Sequence, residues 1–299
     1  MRDTLARSDY SQGRSSYAGA QAVTAVVDAE TVLVNGQYGE FEGSLHDRVV
    51  MDEYRRLGSW APELVSLIVD RLFAGGSGTF IDVGANLGLV CVPVIERTAA
   101  HGIGFEPEPR NFAYLRRNVA RHALETRIAC HQAACHSAPG LMTLALSPDN
   151  LGDHRLQRQQ ASAEPESAAR ATVAVATVRL DDVLRDQTLP HPIVMKVDAQ
   201  GSEVAAFDGA VETLARVDHL ITEYWPRGIV DHGDTAGAFE QHMLGFPFGA
   251  VLHVLPLPEP LNTSRYVFDQ LSWIKNDGSD PGFFDLLFSR QQVLPNSRK

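Results

Sequence analysis

The sequence predicts an α/β protein: a mostly parallel, twisted sheet, doubly wound, with helices on both faces. Three observations carry that prediction. From Thr79 onward, apolar runs that end near a glycine or an acid alternate with segments of helical period, which is the pattern of βαβ units. The run Phe80-Ile81-Asp82-Val83-Gly84-Ala85-Asn86-Leu87-Gly88 reads as a buried strand that turns through glycine into a helix. The next strand closes on an acid, Glu106. With 299 residues, 44% hydrophobic and 21% charged, the chain can bury one sizeable core, and its composition argues against a disordered, collagenous or coiled-coil protein.

Ahead of the βαβ pattern, Ala22 to Gly36 is rich in valine and ends in the turn pair Asn35-Gly36, so a strand or hairpin is expected there. Residues 47–73 repeat Leu57, Trp60, Leu64, Leu67, Ile68 and Leu72 at helical spacing, with Pro62 where a helix could begin. These segments make an N-terminal cap over residues 1–75, followed by a main domain over 76–299. In that domain, strands are predicted at 79–83, 102–106 and 127–133, and helices at 88–99 and 109–123. Phe112, Leu115 and Val119 form one stripe of the second helix, and Arg110, Arg116, Arg117 and Arg121 read as its solvated face.

Strands at 140–147 and 171–178 flank a polar stretch, RLQRQQASAEPESAARA, whose lack of large apolar residues predicts a mobile, lid-like insert near 149–171. A strand at 192–197, a helix at 201–215 and a strand at 218–224 complete the repeat. Residues 249–256 and 285–290 are expected to form an antiparallel C-terminal edge.

Lys plus Arg number 26 against 37 Asp plus Glu, a net charge of −11 and the wrong sign for coating nucleic acid. A small-molecule or glycan acceptor is the expected partner, and a homo-oligomer is compatible with the sequence. Cys91, Cys130 and Cys135 include no CxxC pair, which favours a reducing compartment. The first residues lack the apolar segment of an export signal, and the most apolar run, Phe80 to Ile95, is interrupted by Asp82, Asn86 and Pro93. A cytoplasmic protein without a membrane span is expected.

The glycine turn has the spacing Asp82-x-Gly84-x-Asn86-x-Gly88, and its glycines would clear space for a ligand against the backbone. It lacks the G-x-G-x-x-G of dinucleotide sites, and the chain has no G-K-[ST], so a pyrophosphate is not favoured. A carboxylate at Asp82 repels phosphate and attracts an ammonium such as that of S-adenosylmethionine. Glu106 is placed to accept both ribose hydroxyls, and Gln132, ending the third strand, to meet the adenine edge. Two other readings stay open: an NAD(P)-dependent oxidoreductase using the same turn and Glu106, and a non-catalytic module that keeps the cofactor fold.

The segments FIDVGANLGL, GFEPEPRNFAYLRRNV, MKVDAQGSEVAAFDGA and LITEYW resemble the FkbM-type S-adenosylmethionine-dependent methyltransferases. The resemblance runs from about Thr79 to Trp225 and is most specific at Lys196-Val197-Asp198 followed by Gly201 and Glu203. It implies a Rossmann-like class I methyltransferase fold, S-adenosylmethionine as cofactor, and methylation of a hydroxyl oxygen on a small molecule, sugar or natural-product intermediate. It also implies that Asp198 ends the fourth strand facing the cofactor's methyl, with Glu223 ending the fifth strand beside it. Where the family usually carries a second acid before the glycine, this chain has Gln200.

A neutral hydroxyl attacks poorly without a base or a metal. Asp198, Glu223 and His154 are the candidate catalytic groups; His154 titrates near neutral pH at the root of the insert. A divalent cation held by Asp198 and Glu223 is the less favoured route, and no metal ligands are assigned. Lys196 shares a strand face with Asp198 and is expected to pair with it or with Glu223. Tyr224 and Trp225 are candidates for the acceptor pocket, and Trp60 reads as core.

Overall fold

In the computed structural model, which describes residues 23–157, 170–252, 257–272, 274 and 282–293, the valine-rich run folds back twice. Strands β1 (Val23–Val26), β2 (Thr31–Gly36) and β3 (Gly39–Ser44) form an antiparallel three-stranded sheet. The helical stretch after it is broken where the backbone turns left-handed. Helix α1 (Val50–Leu57) stops at Gly58, φ 72°, and α2 (Pro62–Ser66) runs on into a π-helical segment, Leu67–Leu72.

Among the described residues the main sheet has eight strands. Its parallel part comprises β4 (Thr79–Val83), β5 (His101–Phe105), β6 (Ile128–His131), β11 (Ile193–Val197) and β12 (His219–Tyr224), in the order β12-β11-β4-β5-β6. β13 (Phe248–Val251), β14 (Asn262–Thr263) and β15 (Phe284–Ser289) form the antiparallel edge, with β15 wedged between β12 and β13. The expected edge pairing of the C-terminal segments is therefore present.

Helices α3 (Cys91–Glu96) and α4 (Pro109–Arg121) follow β4 and β5. The helix expected over 201–215 is two, α6 (Glu203–Asp208) and α7 (Val211–Arg216), following α5 (Leu180–Leu184) in the chain. It breaks at Gly209, where a side chain would lie 2.1 Å from the His136 carbonyl oxygen.

A smaller sheet, ordered β7-β10-β8-β9, is made of β7 (Ala134–Cys135), β8 (Gly140–Ala145), β9 (Arg155–Gln157) and β10 (Thr172–Val178). Leu144, Leu156 and Val175 form its core. Residues 155–157, expected to be mobile, are thus a strand paired with β8. Arg155 and Arg170 both grip Asp153, at 2.6 and 2.7 Å. The rest of the insert, 158–169, lies outside the described residues.

The cap is not a separate globule. Val34, Phe41 and Tyr54 belong to the same buried cluster as Phe80, Leu115 and Val194. Three of the α4 arginines read as solvated are docking groups instead: Arg110 pairs with Glu30 at 2.8 Å, Arg117 with Glu42 at 2.6 Å, and Arg121 with Glu42 and with Glu40. Between them Asn118 accepts from the Glu42 N–H and donates to the Glu42 and Leu87 carbonyls. Among the described residues, no helix is long and apolar enough to cross a membrane.

Candidate functional site

A cavity of about 610 Å³ opens at the carboxyl ends of β4, β5, β11 and β12, where open α/β sheets bind ligands. Its lining brings together Asp82, Gly84, Asn86, Glu106, His154, Asp198 and Glu223. Of the predicted cofactor residues, Gly88 and Gln132 are not on that wall. Gln132 is exposed, and its neighbours Ala133, Ala134 and Cys135 line the cavity instead.

The turn after β4 folds over the end of β5, with the Gly84 and Ala85 N–H groups both donating to the Phe105 carbonyl, at 3.0 and 2.9 Å. Gly84, Asn86 and Gly88 have φ of 79°, 51° and 91°, a region that favours glycine. A side chain at Gly84 would meet the Asp198 carbonyl oxygen at 2.0 Å, and one at Gly88 would meet Leu115 Cδ1 at 2.9 Å. These glycines let protein pack against protein, a demand that the turn makes whether or not a ligand also approaches it.

Asp82 is 1% exposed, and its counter-charge is Lys196, with Nζ 3.4 Å from Oδ1. Burial raises the Asp82 carboxyl to about 6, partly offset by that ammonium. Lys196 thus supplies Asp82 with a counter-charge from the chain itself. Lys196 also reaches Asp198 Oδ2 at 3.3 Å, so its two partners are Asp82 and Asp198 rather than Glu223. Burial pulls the Lys196 pKa down, but Asp198 and Asp82 outweigh it and hold the group above its ordinary value.

Glu106, 5% exposed, accepts the Asn86 N–H at Oε2 (2.9 Å) and the Glu108 N–H at Oε1 (2.8 Å). Burial pushes its pKa to about 8 against those two bonds. Each oxygen keeps a further lone pair for a hydroxyl.

Asp198 follows β11 and is held at both oxygens, by Lys196 and by Gln200, whose Nε2 donates to Oδ1 at 2.6 Å. Gln200 (φ 51°) and Gly201 (φ 101°) turn the chain beneath it. Fully buried Glu203 pins that turn by accepting the Ala199 N–H at 2.9 Å and the Gly201 N–H at 3.1 Å. Sequence reasoning assigned no role to Gln200 or Glu203; the signal was their fixed spacing after Asp198.

Glu223 has a buried Oε2 with no hydrogen-bond partner among the described residues. Burial, then the charges of Asp198, Glu203 and Asp285, push its pKa well above the ordinary glutamate value, with Lys196 opposing.

His154 differs from its expected role. Its Nδ1 accepts the Ser147 N–H at 3.0 Å, so the neutral ring carries its proton on Nε2, and burial lowers its pKa to about 4. It offers a donor, where a proton-accepting base was expected. Arg155 lies 4.5 Å over the Trp225 ring, and both line the cavity. Tyr224, a candidate for the pocket, packs instead in the core against Phe239 at 4.9 Å, whereas Trp60 lines the cavity as well as packing on the core.

The chemistry of this wall fits one expected cofactor better than the other. Glu106, Asp198 and Glu223 and the buried Asn86 Oδ1, which has no hydrogen-bond partner among the described residues, present acceptor oxygens. Such a set suits a ligand with cationic and hydroxyl groups, as S-adenosylmethionine has. Among the described residues, no group of three or more His, Cys, Asp or Glu side chains is placed to hold a metal.

The sequence model of the family described as Methyltransferase FkbM domain matches residues 82–263. A relative, Methyltransferase sdnD of Sordaria araneosa, is 28% identical over 174 residues, covering 50% of this chain and 67% of that one. Two solved structures show loose similarity at 10% identity. TYW2 of P. horikoshii in complex with MeSAdo has a TM-score of 0.42 over 91% of this chain and 79% of that one. Precorrin-6y C5,15-methyltransferase of Geobacter metallireducens GS-15 has 0.41 over 82% and 98%.

Proposed function

The chain belongs to the FkbM methyltransferase family and is an S-adenosylmethionine-dependent methyltransferase, and from that premise we propose that it methylates a hydroxyl oxygen of a small molecule, sugar or natural-product intermediate. The observation that carries this reading is the convergence of Glu106, Asp198 and Glu223, from the carboxyl ends of β5, β11 and β12 of the parallel sheet, on one cavity. When bound, the cofactor supplies an electrophilic methyl on a positively charged sulfur. Every other task falls to the chain.

Glu106 accepts from the ribose hydroxyls with the lone pairs its two backbone bonds leave. Lys196 and Gln200 fix the Asp198 carboxylate in one orientation at the cavity floor, so its charge is in place before any ligand arrives. Trp60, Trp225 and the Arg155 guanidinium stacked on Trp225 supply wall for an acceptor that has an apolar body. The His154 Nε2–H is a donor that helps orient it. A net charge of −11 favours a small acceptor over nucleic acid.

The test is product analysis. The protein is incubated with methyl-¹³C-labelled S-adenosylmethionine and a panel of hydroxylated small molecules, and the carbon shift of the new methyl identifies the atom that carries it. An ether methyl is expected. Label found only on nitrogen, carbon or sulfur, or only on added RNA, contradicts the proposal.

A further inference from the structure

We propose that Glu223 is the base that takes the proton of the acceptor hydroxyl, and that the positive charge of the bound cofactor switches it into its proton-accepting form. This rests on the methyltransferase reading above and assigns one step of it to one atom, Glu223 Oε2.

The choice of Glu223 follows from what the other candidates already do. Asp198 is engaged at both oxygens, by Lys196 at 3.3 Å and Gln200 at 2.6 Å. Neither oxygen is left free of a donor to take up the hydroxyl proton. His154 has its only unprotonated nitrogen occupied by the Ser147 N–H. Asp82 is 1% exposed beneath Lys196. Glu106 holds two backbone N–H groups. Glu223 lines the same cavity with a buried Oε2 that has no hydrogen-bond partner among the described residues, and such an oxygen costs free energy until something donates to it.

The charges around Glu223 explain the switch. From β11 and the residue after it, it is faced by Lys196 and Asp198, from α6 by Glu203, and from β15 by Asp285, its register partner across the strand pair. Three acids against one ammonium, in a buried setting, favour the neutral acid. A cation bound in the cavity that Glu223 lines opposes those acids and favours the carboxylate.

The step then balances. The acceptor O–H breaks and its proton goes to Glu223 Oε2; the oxygen lone pair forms the new O–C bond; the C–S bond breaks with its electron pair left on sulfur. One positive charge on sulfur and one negative charge on Glu223 disappear together. A buried site so loses charge as the reaction proceeds, and the loss of the sulfur's charge raises the proton affinity of Glu223 as it receives the proton.

The readout is proton release on binding. Calorimetric titrations of the wild-type protein at pH 7, in two buffers of different ionisation heat, count the protons released by S-adenosylmethionine and by its uncharged-sulfur product, S-adenosylhomocysteine. We expect the first to release up to one proton more than the second. Glu223→Gln should abolish the difference, leave affinity for S-adenosylhomocysteine within a few-fold while weakening that for S-adenosylmethionine by the reciprocal coupling, and slow methyl transfer by about a hundredfold or more. Equal proton counts in the wild type, or a difference that persists in Glu223→Gln, overturns the proposal. If Glu223→Gln does not fold, Glu223→Asp, which keeps a titrating carboxyl, must retain the release. Failure of both sulfur nucleotides to bind overturns instead the cofactor assignment on which the proposal stands, and is read from the same titrations.

Discussion

The floor of the cavity and its side wall are held together over different distances along the chain. At the floor, Glu106 is tied to Glu108, Asp198 to Lys196 and Gln200, and Gly201 to Glu203, each within a few residues of a strand end. The wall at 149–154 is tied to remote segments: the Leu151 N–H reaches Asp47 Oδ1 at 3.4 Å, the Arg48 N–H reaches the Asp149 carbonyl at 2.7 Å, and Asn111 Nδ2 donates to the Leu151 carbonyl at 2.8 Å. The floor adds to these local ties two that cross between strands, Lys196 to Asp82 and the Asn86 N–H to Glu106. The wall depends on how the cap docks, so acceptor shape can vary while the cofactor floor stays constant.

Substitutions at the floor should accordingly cost more than those in the wall. The largest effect is expected for Lys196→Met, which leaves Asp82 buried without its cation; about 3–5 kcal/mol of stability should be lost, read by urea denaturation. A midpoint near wild type would show that the pair is dispensable. Gly84→Val should cost about 3 kcal/mol, because the new side chain meets the Asp198 carbonyl oxygen at 2.0 Å and must adopt φ 79°. Since the clash is with protein, stability should fall whether or not cofactor is present.

Glu106 gives the floor a pH signature. Its folded pKa, about 8, lies well above the ordinary glutamate value, so the folded state binds the extra proton. The contribution is fully present below the unfolded pKa and is lost as pH rises through about 8. Stability of the ligand-free protein should decline across that window, and Glu106→Gln should flatten the decline. An unchanged pH profile in Glu106→Gln would assign the slope to other groups.

The smallest effect belongs to the wall. His154→Ala removes a donor and the acceptor of the Ser147 N–H, so turnover should fall by less than about tenfold, against the hundredfold typical of a lost general base. A hundredfold loss, rescued at higher pH, would restore His154 as the base.

Legibility in the sequence followed the same division. The strand-turn pattern around Asp82 and Gly84, and the acid closing β5, were readable because strand period and turn chemistry are local. What each group touches was not. Lys196 meets Asp82 because β11 lies beside β4 with those residues in register, and residues so far apart in the chain show no spacing that reveals it. Arg117 and Arg121 occupy the polar stripe of α4, where solvent and a docked cap strand look alike to a hydrophobic period. Gln132 was placed from the end of a predicted strand that stops at His131, and a shift of that size moves a side chain from wall to solvent. The period at 47–73 could not show the break at Gly58, since the apolar positions continue past it.

The central claim is that an acceptor-rich floor selects a cationic, ribose-bearing cofactor over a dinucleotide. Calorimetric titration of the purified chain with S-adenosylhomocysteine and with NAD tests it most directly. Saturable heat with the sulfur nucleotide and none with NAD is the result the account predicts; saturable heat with NAD and none with the sulfur nucleotide would contradict it.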